Sequence, residues 1–107
     1  MLKEHQVPID PKNWEGWTPL CFSVARGHMD IMKYLLRNKA DGEWLSPFGW
    51  QLMHLASWYN QAEMVQWLAA HGAPTVSETV HNRRPFDVTR PGEARRKLYQ
   101  AMIDEGY

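Results

Sequence analysis

The feature that most constrains this chain is a period. Gly16-Trp17 returns 33 residues later as Gly49-Trp50. The match then holds its register. Leu20-Cys21-Phe22-Ser23 falls over Met53-His54-Leu55-Ala56, and Gly27-His28 over Asn60-Gln61. Ile31-Met32 falls over Met64-Val65, Leu35 over Leu68, and Asn38-Lys39-Ala40 over His71-Gly72-Ala73. One further step reaches the segment Arg83-Arg84-Pro85-Phe86-Asp87-Val88-Thr89, again with Pro before a large apolar residue. A step backward puts Leu2 under Leu35 and Val7 under Ala40, so MLKEHQV reads as the second helix of an earlier repeat. A period of this length means a small unit that cannot bury its apolar face alone and must stack on its neighbours.

The unit itself reads as two short helices. Thr18 can cap the first backbone donors, and Pro19 suits the first turn, where its missing N–H costs nothing. Gly27 ends this helix by tolerating a left-handed backbone. A second helix is expected from about Asp30, with Ile31, Met32, Leu35 and Leu36 at helical spacing. Such helices pair antiparallel, and each pair relies on the next to cover its sides.

With its Thr18-Pro19-Leu20, Gly27-His28, Met53-His54-Leu55-Ala56 and His71-Gly72-Ala73, the chain resembles the ankyrin repeat, whose signature is T-P-L-H-x-A at a period of 33. The resemblance implies an all-α solenoid of antiparallel helix pairs joined by short β-hairpin-like loops. It divides one domain, 1–107, into the end of a partial repeat (1–12), two repeats (13–45 and 46–78) and a C-terminal capping repeat (79–107). The copies depart from the pattern in places. Gln51-Leu52 replaces Thr-Pro, so the first helix of the second repeat is expected to fray at its start. Asn60 replaces the turn glycine, and Asn is the next most tolerant residue there. In the last copy Arg84-Pro85 lacks a hydroxyl cap and Pro91 should cut the first helix short. A final helix is expected from about Glu93 to Asp104, carrying Ala94, Leu98, Ala101 and Met102 inward, with Gly106 to end it. A polar, irregular last copy is what a solenoid needs where stacking stops. Two full repeats with partial ends fit either a piece of a longer array or a small natural protein stabilised by a partner or by its terminal helices.

Composition excludes several function classes. Formal charge is zero, which gives no bulk field for nucleic acid or an anionic membrane. No apolar run is long enough to cross a bilayer, and the N-terminus lacks a signal-peptide core. The single cysteine, Cys21, cannot form an internal disulfide and fits a reducing, intracellular compartment.

Some residues look chemical. Cys21, His54 and Asp87 recur at one register position and together mimic a cysteine-nucleophile triad. Equivalent side chains on stacked helices lie about 8–10 Å apart, whereas a nucleophile and its base need about 3 Å. The register therefore predicts no enzyme, and the resemblance gives His54 a backbone-bracing role. His5, His71 and His81 lack zinc-ligand spacing, and His5 and His71 fall near helix C-termini, where the dipole favours them. The glycines sit at turns and form no phosphate loop, so neither metal nor cofactor is expected.

The tryptophans are the outlier, six in 107 residues: Trp14, Trp17, Trp44, Trp50, Trp58 and Trp67. The ankyrin resemblance implies binding through hairpin tips and the inner face of the first helices. By register these positions are Trp14, Glu15 and Trp17, then Pro47, Phe48 and Trp50, then Val80, His81 and Arg83. Ala25, Arg26, Trp58 and Tyr59 lie near the ends of the first helices. Trp14, Trp17, Phe48, Trp50, Trp58 and Tyr59 should then share one concave strip, with Glu15, Arg26 and Arg83 setting register at its rim. Large exposed apolar patches mark partner sites, and Trp and Tyr are favoured hot-spot anchors. Non-catalytic recognition of a protein or peptide follows. The bland reading is that these rings pack on one another as added core. Trp67 fits that better, and Trp44 fits either. A second function is nucleotide or single-stranded RNA binding, with bases stacked on Trp and Tyr and phosphates held in the basic segment Arg83–Lys97. A solvated terminal face is the favoured reading of that segment.

Overall fold

The structure, a computed structural model, describes residues 16–107. The partial first repeat, His5, Trp14 and Glu15 lie outside the described residues. The described residues form six helices and no strand.

The first helix, α1 (Pro19–Arg26), starts where the sequence places it. Thr18 is extended, and its hydroxyl oxygen accepts the Cys21 N–H at 3.4 Å. Pro19 occupies the first turn, and Gly27 ends the helix at φ 73°. The next helix, α2 (Met29–Arg37), begins one residue before the expected start. The second repeat supplies α3 (Leu52–Trp58) and α4 (Ala62–Ala70). The last copy supplies α5 (Pro85–Val88), a single turn, and α6 (Glu93–Asp104). Thr89 is already extended and Pro91 follows it, so the shortening has the expected cause.

The helices stand in a row of pairs. α1 packs on α2, α3 on α4, and α3 lies between α1 and α5, while α4 packs on α6. The core runs along this row through the fully buried Leu20, Val24, Met32, Met53, Met64, Val65 and Leu98. Each such side chain contributes about 1.5–3 kcal/mol relative to exposure. Ala94 and Leu98 of α6 are fully buried, whereas Ala101 and Met102 are half-buried toward the end of the helix.

Polar links fix the repeats against one another. The Gln61 amide donates to the Ala25 carbonyl at 2.7 Å, satisfying a last-turn acceptor of α1. Gly27 makes room for it, because a Cβ there would lie 2.5 Å from the Gln61 side-chain oxygen. Asn60, at φ 58°, replaces the turn glycine, and its side-chain oxygen accepts the Ala94 N–H at 3.3 Å. One residue thus closes α3 and caps α6.

Among the described residues the loops are tight turns with no strand pairing. Ser46 N–H donates to the Trp50 carbonyl at 2.9 Å, and Thr79 N–H repeats this to Arg83 at 3.0 Å. Neighbouring tips are joined by Val80 N–H donating to the Phe48 carbonyl at 2.9 Å.

One expectation is corrected. The start of α3 is held firmly, although Thr-Pro is missing. His54 Nδ1 accepts the Gln51 N–H at 3.1 Å, and Leu52 and Met53 are buried. A side chain three residues into the helix thus replaces the missing hydroxyl cap.

Candidate functional site

The loop before α3 and the end of α3 place most of the aromatic rings. Ser46 shapes that loop. Its hydroxyl oxygen accepts N–H groups from Phe48 at 3.2 Å and Trp50 at 2.9 Å. This turns Phe48 outward, where it is exposed and stacks against His81 at 6.4 Å. Trp50 is half-buried and meets Trp58 edge-on, with ring centroids 6.2 Å apart at 80°. Trp58 is the last residue of α3 and Tyr59 its C-cap, so both project where the helix stops. Trp17 comes from the preceding loop and meets Tyr59 edge-on at 6.1 Å and 83°, and Phe22 at 4.9 Å.

These rings surround a groove of about 530 Å³. Trp17, Phe48, Trp50, Trp58 and Tyr59 all line it, joined by Pro47, Ser46 and Leu55. Its floor is Trp44. That ring, which the sequence left between core and surface, is only 3% exposed, and its indole N–H donates to the Gly16 carbonyl at 2.8 Å. A deeply buried indole usually finds such a partner. Here the bond also ties the loop of one repeat to the start of the same repeat. Trp67 is half-buried against the core and stacks on His71 at 3.7 Å.

Two of the three rim residues, Arg26 and Arg83, are not brought together with the rings. Arg26 and Arg83 are exposed and do not line the groove. Arg83 contributes through its backbone, since its carbonyl accepts from His54 Nε2 at 2.9 Å and its N–H donates to Thr79 Oγ1. Arg90 was grouped with the basic segment, yet its guanidinium lies over the Trp58 ring at 5.1 Å. Register could not find this contact, because it depends on the irregular turn after α5.

The rest of the basic segment is largely occupied. Arg84 pairs with Asp87 at 3.3 Å, Arg96 pairs with Glu93, and Arg95 lies over Phe86 at 4.8 Å. Such contacts leave few cations of Arg83–Lys97 directed at an external phosphate.

The triad-like residues serve structure. Both ring nitrogens of His54 engage backbone groups, Gln51 N–H on Nδ1 and the Arg83 carbonyl on Nε2. This fixes the tautomer with the proton on Nε2. Burial holds the His54 pKa below its ordinary 6.5, outweighing the backbone bonds to Arg83 and Ser77 that favour the proton. Asp87 accepts the Arg84 N–H at 2.9 Å, and this bond, with the Arg84 side chain, lowers its pKa. His71 Nδ1 bonds the Trp67 carbonyl at 2.9 Å. Among the described residues no group of three His, Cys, Asp or Glu converges as metal ligands. Nor is any helix there long and apolar enough to cross a membrane.

Stacked helix pairs carrying a ring-lined groove define a helical-repeat scaffold of the kind that binds other proteins. The chain belongs to the ankyrin repeat family: residues 1–79 match the family model for ankyrin repeats, in three copies. Ankyrin repeats are generally protein–protein interaction modules and typically non-enzymatic. The chain is also similar to alpha-latrocrustotoxin-Lt1a of Latrodectus tredecimguttatus, 32% identical over 41 residues. That stretch covers 38% of this chain and 3% of the toxin, so the chain spans a small part of that relative's length.

Proposed function

We propose that this chain recognises a segment of another protein in the groove between its first two described repeats. One observation carries the reading: six aromatic side chains from two repeats line a single groove that, among the described residues, no charged side chain lines. Exposed rings at such density favour burial against a partner, and Trp and Tyr lose few rotamers on binding. Self-packing accounts for Trp44 and Trp67. It leaves Phe48 61% exposed and Trp58 and Tyr59 more than two-fifths exposed.

The test is capture of the partner by the parent chain and by a Trp17→Ala/Trp50→Ala double variant, with helicity checked by circular dichroism. Each single change should weaken binding by about 2 kcal/mol or more. Unchanged binding by a folded double variant would remove the groove as the docking site. The nucleotide or RNA reading predicts affinity that falls steeply with salt, whereas aromatic docking predicts little salt dependence.

A further inference from the structure

We infer that the junction between the first two described repeats is a hinge: α1 and α2 rock as one body on α3 to α6, and the groove widens and narrows with that motion. The inference goes beyond the docking reading and needs no occupant.

The two junctions of the row can be compared position by position along the repeat. Four hydrogen bonds join the second repeat to the third. Val80 N–H donates to the Phe48 carbonyl at 2.9 Å, and His54 Nε2 donates to the Arg83 carbonyl at 2.9 Å. Ala94 N–H donates to Asn60 Oδ1 at 3.3 Å, and the Thr75 hydroxyl donates to Glu105 Oε1 at 2.7 Å. At the first junction, Val80, His54, Asn60 and Thr75 are replaced in register by Pro47, Cys21, Gly27 and Gly42. Proline has no N–H to donate, and the two glycines have no side chain with which to bond. The Cys21 thiol meets Thr18 of its own repeat at 3.4 Å and has no second ring nitrogen to reach across. In the tip, a bare contact stands where the other junction has a bond: a Cβ at Gly16 would lie 3.2 Å from Pro47 Cδ. Among the described residues one hydrogen bond crosses this junction, the Gln61 amide on the Ala25 carbonyl at 2.7 Å.

Packing divides the same way. α4 packs along α6, whereas α2 packs substantially on α1 alone among the described helices. A cavity of about 560 Å³ is lined by Leu36 of α2 together with Trp67 and Leu68 of α4. The aromatic groove also takes its lining from both repeats. What joins the two bodies is mainly apolar, the packing of α1 on α3 and the edge of Trp17 on Tyr59. Apolar burial is non-directional, so it survives a small slide that hydrogen-bond geometry would resist. A single repeat cannot bury its apolar face alone, so the motion is a rocking and not a detachment. The Gln61–Ala25 bond lies at the end of α1 remote from the tip, which makes it the pivot. Trp17 and Pro47, near the tips, then move furthest.

The experiment is 15N relaxation dispersion on the uniformly labelled full chain, because hinge motions fall between microseconds and milliseconds. The Ala25 amide, the Gln61 side chain and the Trp50 indole N–H should show exchange. The amides of Val80, Ala94 and Leu98 should not. Gln61→Ala removes the pivot at a half-buried site and should raise the minor population at the first junction by about twofold to tenfold. Val80→Pro copies Pro47 into the next tip, where Val80 is exposed, and should bring exchange to His81 while leaving the first junction unchanged. Circular dichroism checks that both variants keep their helices. Flat profiles at the first junction, equal exchange at both junctions of the parent chain, or no response to Gln61→Ala would each overturn the hinge. The measurement uses no partner, so its failure leaves the docking reading standing, and failure of the docking test leaves the hinge standing.

Discussion

The start of α3 and the start of α5 occupy the same register and solve the same problem differently. Each must satisfy the N–H of the residue before its first turn. In α3 a neutral histidine accepts it, His54 Nδ1 from Gln51 at 3.1 Å. In α5 a carboxylate accepts it, Asp87 Oδ2 from Arg84 at 2.9 Å. The difference follows from position in the row. α3 is enclosed by α1 and α5, and His54 is fully buried. A charge there would be costly, so an acceptor that can remain neutral is favoured. α5 stands at the edge of the described row, and Asp87 is exposed, so an ion is tolerated and also suits the helix N-terminus. The histidine does more, because its second nitrogen reaches the Arg83 carbonyl and links the second repeat to the third. Equivalent positions therefore do stacking work inside the described row and capping work at its edge.

Deleting the two acceptors gives the largest test of this contrast. His54→Ala removes two hydrogen bonds, leaves Gln51 N–H without its partner and the Arg83 carbonyl with the Thr79 N–H alone, and opens a void. It should destabilise the chain by about 3 kcal/mol. Asp87→Ala removes an exposed cap and should cost about 1 kcal/mol or less. Urea unfolding of both variants checks this. Equal losses would mean that the enclosed and terminal helices are not held differently.

Two glycines sharpen the same distinction at smaller cost. Gly49 and Gly72 have nearly the same backbone, φ 84° and 88°. A Cβ at Gly49 would lie 3.1 Å from Val80 N and 3.2 Å from Thr79 Cα, backbone of the next tip. A Cβ at Gly72 meets nothing within 4 Å. Gly72→Ala should cost only the left-handed penalty, about 1 kcal/mol. Gly49→Ala should cost about 2 kcal/mol, because the neighbouring tip must also move. Thermal unfolding that ranked them the other way would show that the tips of adjacent repeats do not bear on one another.

What could be foreseen from the residues, and what could not, divides along the same line. Thr18-Pro19, Gly27 and the span of α6 are local signals, and the helices begin and end within a residue of them. The convergence of Trp17, Phe48, Trp50, Trp58 and Tyr59 followed from register, because translation along a repeat keeps equivalent positions on one face. Trp44 was ambiguous because its burial depends on Gly16, a partner 28 residues away. The firmness of α3 was missed for a similar reason. His54 can serve as a cap only because the next repeat encloses it, and cap propensities carry no such information. Arg90 on Trp58 was missed because the last copy abandons the repeat geometry on which the register argument depends.

Acid gives the gentlest test of the comparison, and its two windows open at different pH. The folded pKa of His54 is depressed, so below about 6.5 the unfolded chain binds a proton that the folded chain refuses. Stability from this group is complete above about 6.5 and declines as pH falls toward the lower folded value, by at most about 1.4 kcal/mol per pH unit. The folded pKa of Asp87 is also depressed, but for an acid the consequence lies lower. Its contribution is complete above the ordinary 3.8 and is lost only as pH falls through the folded value. Urea midpoints measured from pH 7.5 to 3 should therefore show an upper decline that His54→Ala flattens and a lower one that Asp87→Asn flattens. An upper decline that survives in His54→Ala would assign it to another group, and the enclosed helix would then have no buried neutral acceptor at its start.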